Sequence, residues 1–424
     1  MSFETVSVVG LGYIGLPTAA MFASRKKKVI GVDVNANAVK VINEGKIHIV
    51  EPDLDMIVHA AVVGGYLRAT LIPEPADAFL IAVPTPFREG HLPDLSLVKA
   101  AVLSIAPMLV KGNLVILEST SPVGATEKMS GWLAEARPDL TFPQQVGSDA
   151  DINVAHCPER VLPGSVVREL VQNDRIIGGM SERCSARSVE LYKTFVLGEC
   201  LVTNARTAEM AKLTENASRD VGIAFANELS LICDRLDINV WELIELANRH
   251  PRVNILKPGP GVGGHCIAVD PWFIVSSAPE QARMIQLARN INDGKPDWVI
   301  NKVKSAFTDA VLADKNKSAA SLRIACLGLA FKADIDDLRE SPAMVITAQI
   351  AQDFPGHVVA VEPNISKLPA NLEGKVQLVT LEEALDQADI LVLLVDHREF
   401  KAVEKARVEN KRVIDTRGLW NLSK

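Results

Sequence analysis

The segment PGPGVGGHCIAVD, residues 258–270, places four glycines and two prolines directly ahead of Cys266 and an aspartate, Asp270, four residues beyond it. Glycine is used where backbone must approach another group closely, and the cysteine thiolate is the strongest nucleophile among the side chains. Two readings follow: a thiol held in a loop for chemistry, or a flexible loop beside a buried, inert cysteine. Other polar groups bear on the choice. In AKLTEN, Lys212 and Asn216 are four apart and share one helix face; such a pair is either solvated or aimed into a cleft, where an ammonium and an amide donor can hold an oxyanion. CPERVLPG, residues 157–164, sets Glu159 after a proline, in an extended or turn segment where a carboxylate can act on water or substrate. Thr120, ending the run NLVILEST, is placed to orient a water.

A hydride acceptor is indicated near the start of the chain. Gly10-Leu11-Gly12-Tyr13-Ile14-Gly15 follows a strand-like run and opens a helical one, and Asp33 ends the next apolar run at about the 20-residue spacing of a dinucleotide fingerprint. The glycines let a pyrophosphate reach the helix N-terminus, where unpaired N–H groups and the helix dipole favour negative charge. Asp33 can accept from a ribose 2′-hydroxyl but repels a 2′-phosphate, and Val34-Asn35-Ala36-Asn37 supplies no arginine to neutralise one, so NAD is expected rather than NADP. The C-terminal region keeps only the first glycine, in Gly328-Leu329-Ala330-Phe331-Lys332-Ala333. It carries instead Lys332, Arg339 and Arg417, suited to a second anionic ligand such as a nucleotide pyrophosphate.

The elements that must position these groups follow from periodicity. The runs TVSVVG, KVIGVDVN, DAFLIAVPTP and NLVILESTSP alternate with helical patterns, the first from about Leu16 to Ser24, which predicts βαβ units and a parallel sheet. From about Asn204 to Asn248 the apolar spacing becomes helical with brief breaks, predicting long helices. After a polar stretch at Asp314–Ser318 the alternation resumes with LRIACLGLAF. This last region echoes the first: HVVAVEPN (357–364) matches KVIGVDVN (28–35), DILVLLVDHREF (389–400) matches DAFLIAVPTPF (77–87), and KRVIDTRG (411–418) matches NLVILEST (113–120). Ligands of open α/β sheets bind outside the carboxyl ends of strands, so both regions are expected to present a crevice.

Composition excludes several classes. The 424 residues suggest two to four domains, and 48% hydrophobic with 23% charged residues is ordinary for a globular protein. A formal net charge of −7, with only the short basic run Arg25–Lys28, gives no footprint for nucleic acid. No apolar run reaches the roughly 18 residues needed to span a bilayer, and no signal-peptide pattern opens the chain, so no membrane partner and a cytoplasmic location are expected. The six cysteines form no CxxC pair, which argues for reduced thiols and no metal.

In order along the whole chain, VGLGYIGLP, AVPTP, ESTSPVG, PERVLPG, AKLTEN, PGPGVGGHCIAVDP and LGLAFKADIDDLRESPA resemble the UDP-glucose/GDP-mannose dehydrogenase family. The resemblance implies an NAD-binding Rossmann-like domain (1–203), a central helical domain that forms a homodimer (204–303) and an α/β domain for the UDP-sugar (319–424), with two doubly wound domains joined by long helices. It implies oxidation of a sugar C6 alcohol to a carboxylate with two NAD consumed. Cys266 is then the nucleophile, Lys212 and Asn216 stabilise the oxyanion, Asp270 partners thiol and water, and Thr120 and Glu159 serve the water network and acid–base work. Gly10, Gly12, Tyr13, Ile14, Gly15, Asp33, Thr85, Thr120 and Arg339 fall to the cofactor. Arg160, Val161, Lys212, Asn216, Gly263, Phe331, Lys332 and Arg417 fall to the substrate, and one of Arg249, His250 and Arg252 to the neighbouring subunit's site.

Within the family, RHPRVNILKPGPGVGGHCIAVDPWF is most similar to the bacterial branch that oxidises UDP-N-acetyl-D-mannosamine for surface polysaccharides, enterobacterial common antigen among them. UDP-glucose and GDP-mannose members carry lysine just before the aspartate, where Val269 stands here. The alternatives are a UDP-N-acetylglucosamine or UDP-glucose 6-dehydrogenase, a two-electron hydroxyacid dehydrogenase with no need for Cys266, and a catalytically silent NAD-binding regulator. One prediction rests on Asp33 alone. Asp33→Asn weakens the preference for NAD over NADP, because the carboxylate repels the 2′-phosphate. An unchanged ratio of kcat/KM for the two dinucleotides assigns the preference to another group.

Overall fold

The alternating runs become two parallel sheets. The computed structural model describes residues 3–49, 51–161, 164–264, 266–313 and 318–420. The chain gathers into two units: one reaches to Glu215 and adds Trp272–Pro279, and the other comprises Asn216–Pro271 and the chain from Glu280 onward.

In the first unit, six parallel strands lie in the order Leu67–Thr70, Lys28–Val32, Thr5–Val9, Ala78–Ile81, Leu114–Leu117 and Asn153–His156. Counted along the chain this is 3-2-1-4-5-6, the doubly wound order whose switch point lies between the first and fourth strands. Arg175–Gly179 then pairs antiparallel, and Cys200–Asn204 pairs parallel to it. Side-chain alternation feeds two cores. Val6, Val8, Leu80 and Ile116 face one helical layer, while Val9, Phe79, Ile81, Val115 and Leu117 face the other.

The second unit carries five parallel strands in the order Gln377–Leu378, Val358–Val361, Ile324–Leu327, Ile390–Leu393 and Arg412–Asp415, again 3-2-1-4-5. The three segment pairs matched in the sequence therefore occupy corresponding places, the second, fourth and fifth strands of each array. Both Rossmann-like arrays and the α/β class are as the periodicity predicts.

Between the arrays, the chain folds into helices Ala205–Arg235 and Val240–Ala247, and later Arg283–Ala313. The first and last have 31 residues each, about 46 Å at 1.5 Å per residue. Long helices form over this stretch as expected, with the break at 236–239. Gly222 sits mid-helix, yet one helical glycine costs only about 1 kcal/mol, too little to interrupt a helix this long. The polar stretch at 314–317 lies outside the described residues.

A buried polar ladder ties these helices to the glycine-rich loop. Arg289 Nη1 donates to Asp220 Oδ1 at 2.6 Å, and Arg289 also pairs with Asp293. Asn292 Nδ2 donates to the same Asp220 oxygen at 2.8 Å. Asn227 Nδ2 donates to Asn292 Oδ1 at 2.8 Å, and Asn227 Oδ1 accepts from Gly259 N at 2.9 Å. The ladder thus ends on the loop that leads to Cys266. Asp220→Ala removes the acceptor shared by Arg289 Nη1 and Asn292 while Arg289 keeps Asp293, so it is expected to lower folding stability by about 1–3 kcal/mol. Denaturant unfolding followed by amide exchange in Arg283–Ala313 checks this; unchanged protection there refutes it.

Candidate active site

The dinucleotide turn is built by two close approaches. Gly10 has φ +93°, and a Cβ on it would lie 2.7 Å from the Ala82 carbonyl oxygen; a Cβ on Gly15 would lie 1.7 Å from the Gly10 carbonyl oxygen. Only glycine lets the turn close against the neighbouring strand and the helix begin at once. At Gly12, by contrast, an added Cβ meets nothing within 4 Å, so the turn is open there. The helix Gly15–Ser24 that follows has no side-chain cap and no acidic residue in its first turn, so its leading N–H groups suit a pyrophosphate. Tyr13 and Ile14 are half-buried beside it. Asp33 Oδ2 accepts from Leu11 N and Oδ1 from Asn35 N, both at 2.8 Å. A carboxylate accepts about four hydrogen bonds, so two sites remain for a ribose diol. Thr85 Oγ1 donates to the Thr120 carbonyl at 2.5 Å, joining the loops after the fourth and fifth strands. These residues fit NAD.

Glu159 follows the strand Asn153–His156, and the loop beyond it is pinned by buried Glu51, which accepts from Gly164 N at 2.9 Å and Val166 N at 2.8 Å. Leu162 and Pro163 lie outside the described residues. Glu159 is buried, its Oε1 accepting from Arg160 N and its Oε2 from Arg175 Nη2, each at 2.7 Å. Arg175 is shared with Glu118, which also accepts from the Tyr192 hydroxyl at 2.6 Å. None of these three partners was singled out in the sequence, although an arginine opening the apolar run RIIGG and a glutamate closing VILE are the signals that mark them. Arg160 pairs with Glu215 at 2.6 Å, and Val161 is half-buried.

Lys212 and Asn216 stand one turn apart on the uninterrupted Ala205–Arg235 helix, both half-buried. One turn ahead of Lys212, buried Glu209 accepts from Gly124 N, Thr126 N and Thr126 Oγ1 at 2.6–2.7 Å. It thereby caps the Ala125–Ala136 helix and fixes the rotation of its own.

In the second unit the opening loop acquires partners. Asp270 N and Val269 N both donate to the Cys266 carbonyl, at 2.8 and 3.1 Å, in a tight turn that starts the helix Asp270–Ser277. Asn216 Nδ2 donates to Asp270 Oδ2 at 2.5 Å, so Asn216, Cys266 and Asp270 come together. Cys266 is partly exposed, and the six cysteines form no disulfide. Gly263 lies against Phe331, whose Cβ would be 2.9 Å from an added Cβ, and Gly259 against Arg417, whose Nη1 would be 2.7 Å away. Arg417 is held by Asp396 through Nε at 2.9 Å and Nη2 at 2.7 Å. Lys332 and Arg339 are exposed, the latter paired with Asp337. Arg249, His250 and Arg252 form a separate exposed turn, in which Arg252 N donates to His250 Nδ1 at 3.3 Å.

The second sheet repeats the Asp33 position with a different outcome. Glu362 follows its second strand; Oε2 accepts from Leu329 N, Ala330 N and His397 Nε2 at 2.7, 3.0 and 3.0 Å, while Oε1 accepts from Asn364 N and Nδ2 at 3.1 Å. Burial raises its pKa, but the hydrogen bonds from His397 and Leu329 N prevail and bring it to about 2. Asp334 N donates to His397 Nδ1, which places the imidazole proton on Nε2 and makes this a structural cluster.

Three models of the UDP-glucose/GDP-mannose dehydrogenase family match in chain order: the NAD binding domain at residues 4–196, the central domain at 206–294 and the UDP binding domain at 325–422. The chain is 66% identical to a UDP-N-acetyl-D-mannosamine dehydrogenase of Yersinia pestis over 99% of its length and 100% of the relative's. It is 63% identical to an NDP-N-acetyl-D-galactosaminuronic acid dehydrogenase of Ralstonia nicotianae, over 99% and 97%. Among solved structures, a UDP-D-ManNAc dehydrogenase from Pyrococcus horikoshii matches with a TM-score of 0.86 at 40% identity, covering 98% of this chain and 96% of that one. No helix among the described residues is long and apolar enough to cross a membrane. With a nucleotide turn shaped for NAD and likeness along its whole length, the chain belongs to the UDP-glucose/GDP-mannose dehydrogenase family and is an NAD-dependent UDP-sugar dehydrogenase.

Proposed function

We propose that the enzyme oxidises UDP-N-acetyl-D-mannosamine at C6 to UDP-N-acetyl-D-mannosaminuronate by a four-electron route through Cys266. The observation that carries this reading is the 66% identity, over essentially the whole chain, to a relative named for that substrate. Val269 adds to it: a half-buried valine in place of lysine removes a cation and leaves an apolar contact, which favours an acetamido sugar over one displaying only hydroxyls. The 63% identical relative named for an N-acetylgalactosaminuronic acid favours a second reading with the same C2 substituent and a different ring configuration.

The roles are as follows. Bound at the Gly10–Gly15 turn and Asp33, NAD supplies a hydride acceptor, used twice per sugar. Lys212 and Asn216 hold the negative charge that grows on the C6 oxygen. The aldehyde left by the first oxidation is captured by the Cys266 thiolate as a thiohemiacetal, so that it cannot escape; its oxidation leaves a thioester on Cys266. Water, oriented by Thr120 and Asp270 and deprotonated by Glu159, attacks the thioester carbon, releasing the carboxylate and returning the thiol. Arg160, Val161, Gly263, Phe331, Lys332 and Arg417 bind the UDP-sugar, and Arg339 meets the cofactor. The domain division at 1–203, 204–303 and 319–424 belongs to this reading, as does a homodimer through the central helices. Exposed Phe225 and Ile232, seven apart on one face of Ala205–Arg235, with exposed Leu236 just past its end, support the latter. A reduced nucleophilic thiol suits the cytoplasm, and an acidic amino-sugar nucleotide suits bacterial surface polysaccharide synthesis.

Two measurements test the reading. Cys266→Ala is expected to abolish uronate formation while NAD affinity stays near wild type; full four-electron turnover in that variant removes the covalent route. On a panel of nucleotide sugars, UDP-N-acetylmannosamine should give two NADH per sugar and the highest kcat/KM. One methyl-sized contact is worth about 10–200-fold, so weak turnover of an N-acetyl epimer is expected and comparable turnover of UDP-glucose is not.

A further inference from the structure

Behind Glu159 lies a closed cluster that the mechanism above leaves unused. Arg175 opens the strand Arg175–Gly179 and is 4% exposed, and the same Nη2 bonds Glu118 Oε1 at 2.9 Å and Glu159 Oε2 at 2.7 Å. The Tyr192 ring lies under the guanidinium, 4.0 Å from its central carbon, and the Tyr192 hydroxyl donates to Glu118 Oε1. Four side chains from two strand ends, a loop and the helix Glu182–Tyr192 thus fix one another. Glu118 Oε2 and Arg175 Nε are buried without a hydrogen-bond partner among the described residues.

The charges do not cancel while both carboxylates are ionised. One cation then faces two anions with a net charge of −1, out of water, where an uncompensated charge is costly. We propose that Arg175, Glu118 and Tyr192 are positioning residues for Glu159: they hold its carboxylate in one orientation and keep it ionised, Glu118 taking up the proton that neutralises the cluster. The proposal rests on the assignment of acid–base work to Glu159.

Geometry favours Glu118 as the protonated member. Each carboxylate accepts two hydrogen bonds, but those of Glu159 are spread over both oxygens, whereas both of Glu118's fall on Oε1 and its buried Oε2 has no donor among the described residues, so Glu159 is the better anion. Burial pushes the Glu118 carboxyl up to about 7, the Glu159 charge adding to the rise while Arg175 and the Tyr192 hydroxyl oppose it. The other titratable groups facing the cluster are the thiols of Cys157 and Cys200 and the phenol of Tyr192, all raised by burial and so neutral at neutral pH. Proton uptake by Glu118 leaves the Arg175 charge wholly to Glu159.

The test is the pH dependence of kcat and KM for uronate formation in four variants of the full-length enzyme. Glu118→Gln reproduces the neutral state assigned to Glu118 and keeps an oxygen for Arg175 and Tyr192, so the acid limb of kcat should stay within about 0.3 unit of wild type. Arg175→Met leaves two carboxylates to share one proton, so the limb should move to higher pH by about one unit, with kcat at pH 7 falling at least about tenfold and KM for the sugar nucleotide within about threefold. Arg175→Lys should bring the limb back. A limb that Arg175→Met raises and Glu118→Gln leaves in place is not what a merely structural role would give. If Arg175→Met does not fold, Glu118→Gln and Arg175→Lys decide. A limb moved to lower pH by about one unit or more in Glu118→Gln shows Glu118 to be ionised and overturns the proposal, provided Glu159→Gln is inactive. Full turnover in Glu159→Gln removes the acid–base assignment itself and the proposal with it.

Discussion

The constraint on which the chemistry depends is the continuity of the Ala205–Arg235 helix. A helix advances 1.5 Å and turns 100° per residue, so once its rotation is set at one point, every side chain along it is aimed. Glu209 sets that rotation by accepting three hydrogen bonds at the start of the Ala125–Ala136 helix. Three residues later Lys212 inherits the orientation, and four residues beyond it so does Asn216, whose amide meets Asp270. Within the second unit, Asp220 and Asn227 of the same helix hold Arg289, Asn292 and the Gly259 backbone.

Much of this was legible in the sequence because it is carried by local rules. Short apolar runs mark strands, and their alternation with helical patterns marks parallel sheets; the matched pairs such as KVIGVDVN and HVVAVEPN land on the same strand of each sheet. The Gly10–Gly15 turn was legible for the same reason, since backbone approach admits only glycine at two of its positions. Lys212 and Asn216 share a face by spacing alone.

What escaped was every group whose meaning depends on a distant partner. Glu118 reads as one more strand-end carboxylate until Arg175, 57 residues later, is beside it. Glu209 looks like a solvated helix charge until Thr126 is seen against it, 83 residues away. Glu159 was found by its motif but not its burial, because nothing in CPERVLPG announces the arginine that makes burying a carboxylate tolerable. Such pairings are topological, and periodicity carries no information about them.

The contrast between Asp33 and Glu362 separates two crevices of one architecture. Both acids end the second strand of a doubly wound sheet and both anchor the first turn of it, yet one has lone pairs to spare and the other is saturated by five donors. At this position, a ribose diol seeking an anionic acceptor finds one in Asp33 and not in Glu362. On the loops of the C-terminal crevice stand Lys332, exposed, and Arg417, held by Asp396. An adenosine-type inhibitor built around chelation of the diol would therefore occupy one crevice and leave the other unblocked, so two structurally kindred pockets on a single polypeptide can be addressed independently.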